Sequence, residues 1–465
     1  MSSLRNIILI LILTKNVLGQ GIDGRIDTTF QIGSGANSTV NCIIEQADKK
    51  IIVGGFFTIY DGPERNLIVR LNPDGSIDES FVPDQIGWGN NDGISSIMVA
   101  NNGQILVGGY FTNANGFADS GLKLLNSDGS QATNWYVNGK VYCMAKQPDG
   151  KIILGGQCYS YGGTTVRRIF RINPDFSIDS TFNTMTDGPN GGIYSIVIQP
   201  DGKILIGGNF NSFKGVSSNH IARLNYDASI DTSFHVGSGF DEIINTIVLQ
   251  SNNKLVVSGR FTSYSGFPVN YLTRINPNGY IDTTFNSGGA GMNDRMAQLI
   301  INRNDQILVG GTSIFTSYND NPVKHIVRLN IDGTLDVNFD PLMGQDGTIY
   351  AMLIQDDEHL VIGGGFTHYD GVLTNHICRI YANNKTGIYE KEEQASITLS
   401  PNPASNSLRI DYNGESNDIT IINTMGVVVY SEKLKKEHAI INTSTFPPGL
   451  YYVKVGGMVK KLVIE

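Results

Sequence analysis

The fold is decided by residues 191–234, GGIYSIVIQPDGKILIGGNFNSFKGVSSNHIARLNYDASIDTSF. The stretch IYSIVI (193–198) is apolar and rich in β-branched side chains, which favours a strand. The PDGK turn at 200–203 reverses the chain, because its glycine is free to take a positive φ, and ILIGGNF then returns antiparallel. After a loop, IARLN and SIDTSF flank a second turn. The segment therefore predicts a sheet of four antiparallel strands.

The Gly-Gly pair of this segment occurs in seven units that are 47 to 54 residues apart, at 54/55, 108/109, 155/156, 207/208, 310/311 and 363/364, and in altered form as Ser258-Gly259. A four-stranded sheet cannot bury both apolar faces alone, so such units either stack in a line or close into a ring. A linear stack needs polar caps, and neither end of the array resembles one. We predict an all-β, seven-bladed β-propeller with four-stranded blades over residues 20–386.

Residues 24–30, GRIDTTF, resemble the closing segment of a repeat, yet no repeat precedes them. Unit seven conversely continues from Arg379 into YANNKTGIYEKEEQ without a closing segment. We therefore expect GRIDTTF to supply the fourth strand of blade 7 and to close the ring, burying Ile26 and Phe30. The alternative is that NKTGIYE at 384–390 supplies this strand.

The Arg and Asp positions of the repeat point to the same closure. Six units carry Arg in the third strand, and five of these carry Asp in the fourth. Unit two has lost both, with Leu124 and Ala132 in their places. Because a buried charge is costly without its partner, the joint loss indicates that the two residues pair. Arg379 has no such Asp in its own unit, and Asp27 of GRIDTTF is the available partner.

The N-terminus and the composition predict an exported protein. Residues 7–13 form an apolar run behind Arg5, too short for a bilayer, which needs roughly 20 residues, but typical of a signal peptide. We predict a signal peptide over residues 1–19 and no transmembrane segment. With a net charge of -9 and a pI near 5.3, the chain offers no basic face, so nucleic acid is not expected as a partner.

The character of the chain changes after Tyr389. A charged linker is expected at 387–395, and the Gly-Gly repeat does not return beyond it. Short strand-like runs separated by turns predict a small, immunoglobulin-like β-sandwich over residues 396–465.

Both parts resemble known families. The QPDGKIxxGGxF and RLNxDGxxDxxF patterns resemble the delta-60 repeat family, which implies a propeller and no general activity. SPNPASNSLRI (400–410), INTMGVVVYSEKL (422–434) and FPPGLYYVKVGGMVKKLVIE (446–465) resemble the type A sorting domain of the Bacteroidetes type IX secretion system. That resemblance implies Sec export, recognition by the secretion machinery, and release or anchoring at the outer-membrane surface. An ordinary accessory sandwich domain is the alternative.

Candidate site residues are sought where the repeat is broken or where loops carry aromatic side chains. Tyr60, Tyr264, Tyr318 and Tyr369 lie at matching loop positions and predict either an aromatic rim for sugars or peptides, or packing between blades. Two irregular loops add Trp88 and Arg295 as candidate ligand contacts. The matching positions of His220, His325 and His376 favour a packed or capping imidazole in each blade.

Neither a catalytic centre nor a metal centre is predicted. The turn aspartates are spaced too widely for a DxDxDG loop, so no cofactor is expected, with calcium as the alternative. The four cysteines are expected to be buried free thiols, with a Cys143–Cys158 disulfide as the alternative.

These features together predict a secreted or surface-exposed binding module for a surface glycan or a protein. One alternative is a carbohydrate-active or other hydrolytic enzyme with paired carboxylates in the central opening, one of them with a raised pKa. The other is a structural component of a surface layer.

Overall fold

The structure is a computed structural model that describes residues 23–84, 86–87, 92–112, 120–133, 136–182, 184, 187–295, 298–382, 396–413, 418–424, 427–433, 438–455 and 458–465. Every regular element in these ranges is a β-strand. The chain divides into two compact units, Met1–Asn384 and Lys385–Glu465. The predicted signal peptide, the charged linker and NKTGIYE lie outside the described residues.

Blades 1 to 3 contain the first eleven strands. Blade 1 has β1 (Val40–Glu45), β2 (Ile51–Gly55) and β3 (Ile68–Leu71). Blade 2 has β4 (Gly93–Val99), β5 (Ile105–Tyr110), β6 (Leu122–Leu125) and β7 (Gln131–Thr133). Blade 3 has β8 (Val137–Lys146), β9 (Ile152–Tyr161), β10 (Thr164–Thr165) and β11 (Ile169–Ile172). The ten-residue strands β8 and β9 are longer than their counterparts in the other blades.

Blades 4 to 7 each have three main strands and a small hairpin of two-residue strands between the second and the third. Blade 4 has β12 (Gly192–Ile198), β13 (Ile204–Asn209), β14 (Ser212–Phe213), β15 (Val216–Ser217) and β16 (Ile221–Leu224). Blade 5 has β17 (Ile244–Leu249), β18 (Leu255–Gly259), β19 (Ser263–Tyr264), β20 (Phe267–Pro268) and β21 (Leu272–Ile275). Blade 6 has β22 (Gln298–Ile301), β23 (Ile307–Gly310), β24 (Ser317–Tyr318), β25 (Asn321–Pro322) and β26 (Ile326–Leu329). Blade 7 has β27 (Ile349–Ile354), β28 (His359–Gly364), β29 (His368–Tyr369), β30 (Val372–Leu373) and β31 (Ile377–Tyr381).

The seven blades form a closed ring. In the described part of the chain, seven apolar clusters each draw on two consecutive blades. In the one that joins blade 7 to blade 1, Val361 and Ile377 pack with Val40 and Val53. The inner strand β27 also contacts β1. A linear stack would leave one face of the first and of the last sheet uncovered, and the cluster between blades 7 and 1 covers both, which confirms the predicted seven-bladed propeller.

The predicted fourth strand is much shorter than expected. In six blades it is a single antiparallel bridge, as between Leu224 and Ile230, and only β7 of blade 2 forms a short strand. The reason is the Asp that follows the bridge. Asp231 Oδ1 accepts hydrogen bonds from the backbone N–H (3.0 Å) and the hydroxyl (2.7 Å) of Ser233, which turns the chain away from the sheet.

Residues 23–30 occupy this position in blade 7. Ile26 forms an antiparallel bridge with Ile380, and the Asp27 N–H donates to the Arg379 carbonyl oxygen at 2.8 Å. Phe30 is buried in the cluster between blades 7 and 1. The N-terminal segment therefore closes the ring as the sequence predicts, and it does so in the bridge-and-turn form found in the other blades.

The Gly-Gly pair has two separate packing roles. A side chain on the first glycine would meet the inner strand of the next blade, as at Gly54, where the nearest atom is Ile97 Cδ1 at 2.7 Å. In six of the seven blades a side chain on the second would collide with a backbone carbonyl at the inner strand of its own blade, Thr39 in the case of Gly55. A side chain can yield but a backbone cannot, so Ser258 is tolerated at the first position.

The strands of the C-terminal unit are β32 (Ser396–Ser400), β33 (Ser407–Asn413), β34 (Asp418–Asn423), β35 (Val428–Lys433), β36 (His438–Asn442), β37 (Gly449–Val455) and β38 (Met458–Ile464). They form a three-stranded and a four-stranded sheet, with the strand orders β32-β33-β36 and β35-β34-β37-β38. One buried cluster draws on both sheets, including Leu408, Ile441, Ile421 and Val453. Two sheets that enclose one core form a sandwich, as predicted.

Candidate functional site

A buried charge network recurs in six blades and explains most of the conspicuous charges of the repeat. In blade 3, Arg171 Nε donates to Asp179 Oδ2 at 2.7 Å, and Lys151 Nζ donates to the same oxygen at 2.8 Å. The Arg171 side chain is fully buried. Its Nη1 atom also donates to the Tyr226 carbonyl oxygen in blade 4 at 2.6 Å. We call the Arg, the Asp, the side chain at the lysine position and the carbonyl of the next blade the charge network.

The predicted Arg–Asp pair is present in all six blades, and the lysine was missed. Nε of each arginine lies 2.7 to 2.8 Å from its aspartate, in the pairs Arg70–Asp78, Arg171–Asp179, Arg223–Asp231, Arg274–Asp282, Arg328–Asp336 and Arg379–Asp27. Lysine completes the set in blades 1, 3, 4 and 5. The available signal was a lysine at the end of the first turn of these blades, but it stands 28 residues before the aspartate and only the sheet brings the two together.

Blade 2 replaces this network with apolar packing. Leu124 and Ala132 stand at the Arg and Asp positions, and both join a cluster with Phe176 and Ile178 of blade 3. The boundary between blades 2 and 3, which we call the seam, therefore carries no arginine of this kind. It is the boundary at which the repeat is most altered.

The opposite end of the seam holds an open pocket of about 200 Å³, the seam pocket. Blade 2 contributes Tyr110 and Ser120, and the start of β8 and the end of β9 contribute most of the remaining lining, including Tyr136, Lys140 and Tyr159. Tyr136 is 48% and Tyr159 is 49% exposed, although both are aromatic. The pocket therefore presents accessible rings rather than core side chains.

The seam is open because blade 3 departs from the repeat where other blades are tight. Val137 pairs with Tyr161, and Tyr136 is the residue just before Val137. In five other blades the residue at the position of Tyr136 is a glycine. Those glycines lie against the preceding blade, so that a side chain at Gly239 would meet the Asn219 carbonyl oxygen at 2.6 Å. The tyrosine ring cannot approach as closely as glycine, and a gap remains beside it.

A second departure frees Tyr159. In blade 5 the corresponding Thr262 donates its backbone N–H to the Asp241 carboxylate at 2.9 Å, and other blades use an Asn or Asp in the same way. In blade 3 the strands β8 and β9 continue instead, with Asn138 paired to Ser160. The continuous ladder satisfies the backbone, which leaves the Asn138 and Tyr159 side chains exposed at the pocket.

Two polar side chains give the pocket its chemistry. The Lys140 ammonium lies 4.5 Å from the centroid of the Tyr110 ring, within the range of a cation–π contact. Gln157 Oε1 accepts a hydrogen bond from the Tyr142 hydroxyl at 3.3 Å, which orients the amide. The pocket thus combines aromatic rings with amide and ammonium groups, the mixture of apolar area and a few fixed polar groups that is typical of ligand sites.

The four predicted aromatic-rim tyrosines do not form a rim. Tyr60, Tyr264, Tyr318 and Tyr369 are at most 1% exposed. Three of them donate their hydroxyl to a turn carbonyl of the blade, as Tyr318 does to Gly333 at 2.6 Å. The packing alternative therefore holds for these residues, because their rings fill the space beneath the short hairpins.

The structure bears differently on the predictions for the two loop residues and for the histidines. Trp88 lies outside the described residues. Arg295 is exposed in the entry loop of blade 6 and is not part of the seam pocket. The Nδ1 atoms of His220, His325 and His376 each lie 3.1 Å from a backbone carbonyl oxygen, which confirms the predicted capping role.

The described residues offer neither a raised carboxyl pKa nor a metal cluster. Every carboxyl group there whose pKa is displaced has it lowered, as at Asp346, where hydrogen bonds from His368 and Thr367 outweigh burial and lower the pKa to about 2. The same residues hold no group of three or more His, Cys, Asp or Glu side chains suited to a metal ion. The four cysteines are free thiols, and burial raises the Cys158 pKa to about 12.

The repeats match a known family. Residues 46–81, 100–131, 147–182, 199–234, 250–285, 303–339 and 355–383 match the family described as "Domain of unknown function (DUF5122) beta-propeller" and together make up just over half of the chain. The chain belongs to the DUF5122 β-propeller family. Five of the matched segments of this DUF5122 propeller end at the closing Phe or its neighbour, but the last stops at residue 383, because the ring takes the closing Phe30 from its N-terminal segment.

Solved structures resemble the DUF5122 propeller only remotely, and no curated protein matches it. PorZ of Porphyromonas gingivalis, a surface component of its type IX secretion system, is 14% identical with a TM-score of 0.37, over 90% of this chain and 56% of PorZ. Virginiamycin B lyase of Staphylococcus aureus is 16% identical with a TM-score of 0.34, over 68% of this chain and 89% of the lyase. A gluconolactonase of Xanthomonas campestris is 11% identical with a TM-score of 0.36, over 71% and 94%. The chain spans just over half the length of PorZ, and likeness at this level carries no argument about function.

The C-terminal unit matches the secretion system C-terminal sorting domain over residues 398–465. This domain directs export through type IX secretion to the cell surface or the extracellular space, and it implies contact with the secretion machinery. Among the described residues, no helix is long and apolar enough to cross a membrane.

Proposed function

We propose that this protein is an exported carbohydrate-binding module whose ligand lies in the seam pocket. The observation that carries the proposal is the pair of half-exposed tyrosines, Tyr136 and Tyr159, in an open pocket that also contains amide side chains. Sugar rings stack their C–H faces on aromatic rings, and amides exchange hydrogen bonds with hydroxyl groups.

The placement of the pocket also supports binding. It lies where β8 begins and β9 ends, and the pairing of these two strands holds the lining residues in a fixed register. Preformed aromatic surfaces lose little conformational entropy when they bind, since their lining is already ordered. Among the described residues that line the pocket there is neither a carboxylate nor a thiol, whereas a hydrolase centre would need paired carboxylates.

A glycan array with the full-length protein tests the proposal, followed by titration of the best ligands. Trp135 adjoins Tyr136 in the sequence, so tryptophan fluorescence provides a direct readout. The double variant Tyr136→Ser/Tyr159→Thr should weaken binding at least about tenfold, because it removes both stacking surfaces.

The matched control is Tyr280→Ser, which removes a tyrosine that is 58% exposed in the last turn of blade 5. It should bind as the unaltered protein does. An array without any glycan bound, or glycan binding that survives the double variant, contradicts the proposal. Binding of extended peptides in its place would assign the pocket to a protein partner.

A further inference from the structure

The seam pocket contains a cation, Lys140, that has no acidic partner within the described part of the chain. The lysines of the charge networks, such as Lys151 and Lys203, lie within 2.8 Å of a carboxylate oxygen. The described residues place no carboxylate within 4 Å of the Lys140 ammonium, which instead lies over the Tyr110 ring. The Lys140 side chain is only partly exposed, so its charge is incompletely hydrated.

Further positive charge lies beside the same pocket. The Arg168 guanidinium is 5.7 Å from the centroid of the Tyr159 ring and donates to the Pro189 carbonyl oxygen at 2.9 Å. The exposed Arg167 precedes it. In the part of the chain that the structure describes, neither arginine forms an ion pair with a carboxylate. A local excess of positive charge stands out in a chain with a net charge of -9.

We infer that the ligand of the seam pocket is an acidic oligosaccharide, in which a uronic acid carboxylate binds Lys140 while its sugar ring stacks on Tyr136 or Tyr159. This inference rests on the proposed carbohydrate-binding function. The contact with Tyr110 holds the ammonium in place before the ligand arrives, which lowers the entropy lost on binding. An ion pair in a partly dehydrated pocket is also stronger than one in open solvent.

The exposed tyrosines favour an acidic sugar over an acidic peptide. A chain of carboxylates would need cations but no ring face, whereas the cations here lie beside aromatic rings, Lys140 at Tyr110 and Arg168 at Tyr159. Asn138 and Gln157 supply hydrogen bonds suited to the hydroxyl groups next to a uronate.

The test compares oligogalacturonate with its neutral methyl ester on the full-length protein, by calorimetry or fluorescence. We expect the acid to bind at least about tenfold more tightly than the ester, with an affinity that falls as salt is raised. Lys140→Met should remove the preference for the acid but leave the weak binding of the ester, and Lys140→Arg should keep the preference.

The matched control is Lys214→Met. Lys214 likewise rests on an aromatic ring, 5.8 Å from the Phe213 centroid, but it lies in blade 4. It should bind like the unaltered protein. Equal binding of acid and ester, unaffected by Lys140→Met, overturns the inference while the proposed function stands. Failure of both saccharides, and of every glycan on the array, overturns both, and preferential binding of polyglutamate overturns the acidic-sugar assignment.

Discussion

Blades 2 and 7 both depart from the repeat, and they do so in opposite ways. Blade 7 lacks a closing segment of its own and rebuilds the charge network from the other end of the chain, with Asp27 at 2.7 Å from Arg379. Blade 2 keeps a closing strand in its own sequence, β7, but has lost the network. Leu124 and Ala132 pack there against apolar side chains of blade 3.

The difference shows that the network is kept whole or replaced whole. Removing one member of a buried ion pair leaves an uncompensated charge, which costs about 3 to 5 kcal/mol, whereas replacing both members with apolar groups is often nearly neutral. The arginine also joins neighbouring blades, as Arg379 does by donating to the Pro73 carbonyl oxygen of blade 1 at 3.1 Å. In blade 2, apolar contacts with blade 3 hold the two neighbouring blades together instead.

The largest effect on stability is expected if blade 7 loses the N-terminal segment that completes it. Deletion of residues 21–30 should lower the stability on the order of 5 kcal/mol, because it exposes the Ile26 and Phe30 contacts and leaves Arg379 unpaired. The melting temperature and the elution volume, compared with those of the chain that begins at Gln20, provide the measurement. An unchanged melt with monomeric elution would show that this segment does not close the ring.

Single and double substitutions in blade 7 sharpen the comparison with blade 2. Asp27→Ala should cost about 3 kcal/mol, because it leaves the Arg379 guanidinium buried without its carboxylate. Adding Arg379→Leu, which gives blade 7 the residue types of blade 2, should recover part of this loss. Denaturant unfolding measures both free energies.

The matched control is the exposed pair Arg409 and Asp411 in the C-terminal unit, whose side chains are 48% and 40% exposed. Asp411→Ala should change the unfolding of that unit little, since exposed pairs contribute little. If the Asp27→Ala and double variants of blade 7 lose equal stability, the two charges are not coupled, and the interpretation of blade 2 is wrong.

The pH dependence of stability provides a test with a smaller expected effect, because each charge network contributes to it. Burial by itself raises the pKa of Asp78, Asp179, Asp231 and Asp282, but hydrogen bonds from the lysine, the following Ser or Thr and the arginine outweigh it and hold each pKa well below its usual range. The Asp27 pKa is lowered by bonds from Thr29 and Arg379. Carboxyl groups with lowered pKa stabilise the folded state fully above their unfolded pKa near 4.

That contribution is lost as the pH falls below about 4 toward the folded values. The free energy of unfolding should therefore drop steeply between pH 5 and pH 2. The double variant Asp27→Ala/Arg379→Leu should show a shallower drop, because it has one network fewer. Asp187→Asn, at an exposed carboxyl outside the networks, is the control and should parallel the unaltered chain. Parallel curves for all three chains would contradict this assignment.

The smallest expected effect concerns the lysine position of blade 7. His359 occupies the lysine position, and its Nε2 atom is 3.7 Å from Asp27 Oδ2, compared with 2.8 Å for Lys50 and Asp78 in blade 1. His359→Lys should shorten this contact and stabilise the protein by about 0.5 kcal/mol, or roughly 1 °C in melting temperature. The reciprocal Lys203→His in blade 4 should destabilise by a similar amount. A loss of stability in His359→Lys would show that blade 7 is adapted to histidine.

The sequence predicted much of the fold but little of the site. The Gly-Gly spacing fixed the number of blades, and the joint loss at Leu124 and Ala132 identified the partner of Arg379 across 352 residues. The closing segment was predicted as a strand, and it is a bridge followed by a turn, because the Asp side chain competes with the ladder for backbone N–H groups. The prediction of a tyrosine rim was wrong, because the position of a tyrosine within the repeat does not reveal whether its ring points into the blade or out to solvent.

The sequence by itself determined the all-β class, the seven units, the closure by residues 24–30 and the sorting domain, because each depends on local pattern or on residues that recur together. Only the tertiary structure decided which side chains are accessible. Tyr136, Tyr159 and Lys140 stand in ordinary strand sequence, and they meet only because the glycine that closes the other boundaries is absent from the seam. The exposure of a side chain depends on how the neighbouring blade packs against it, and the sequence of one repeat does not contain that information.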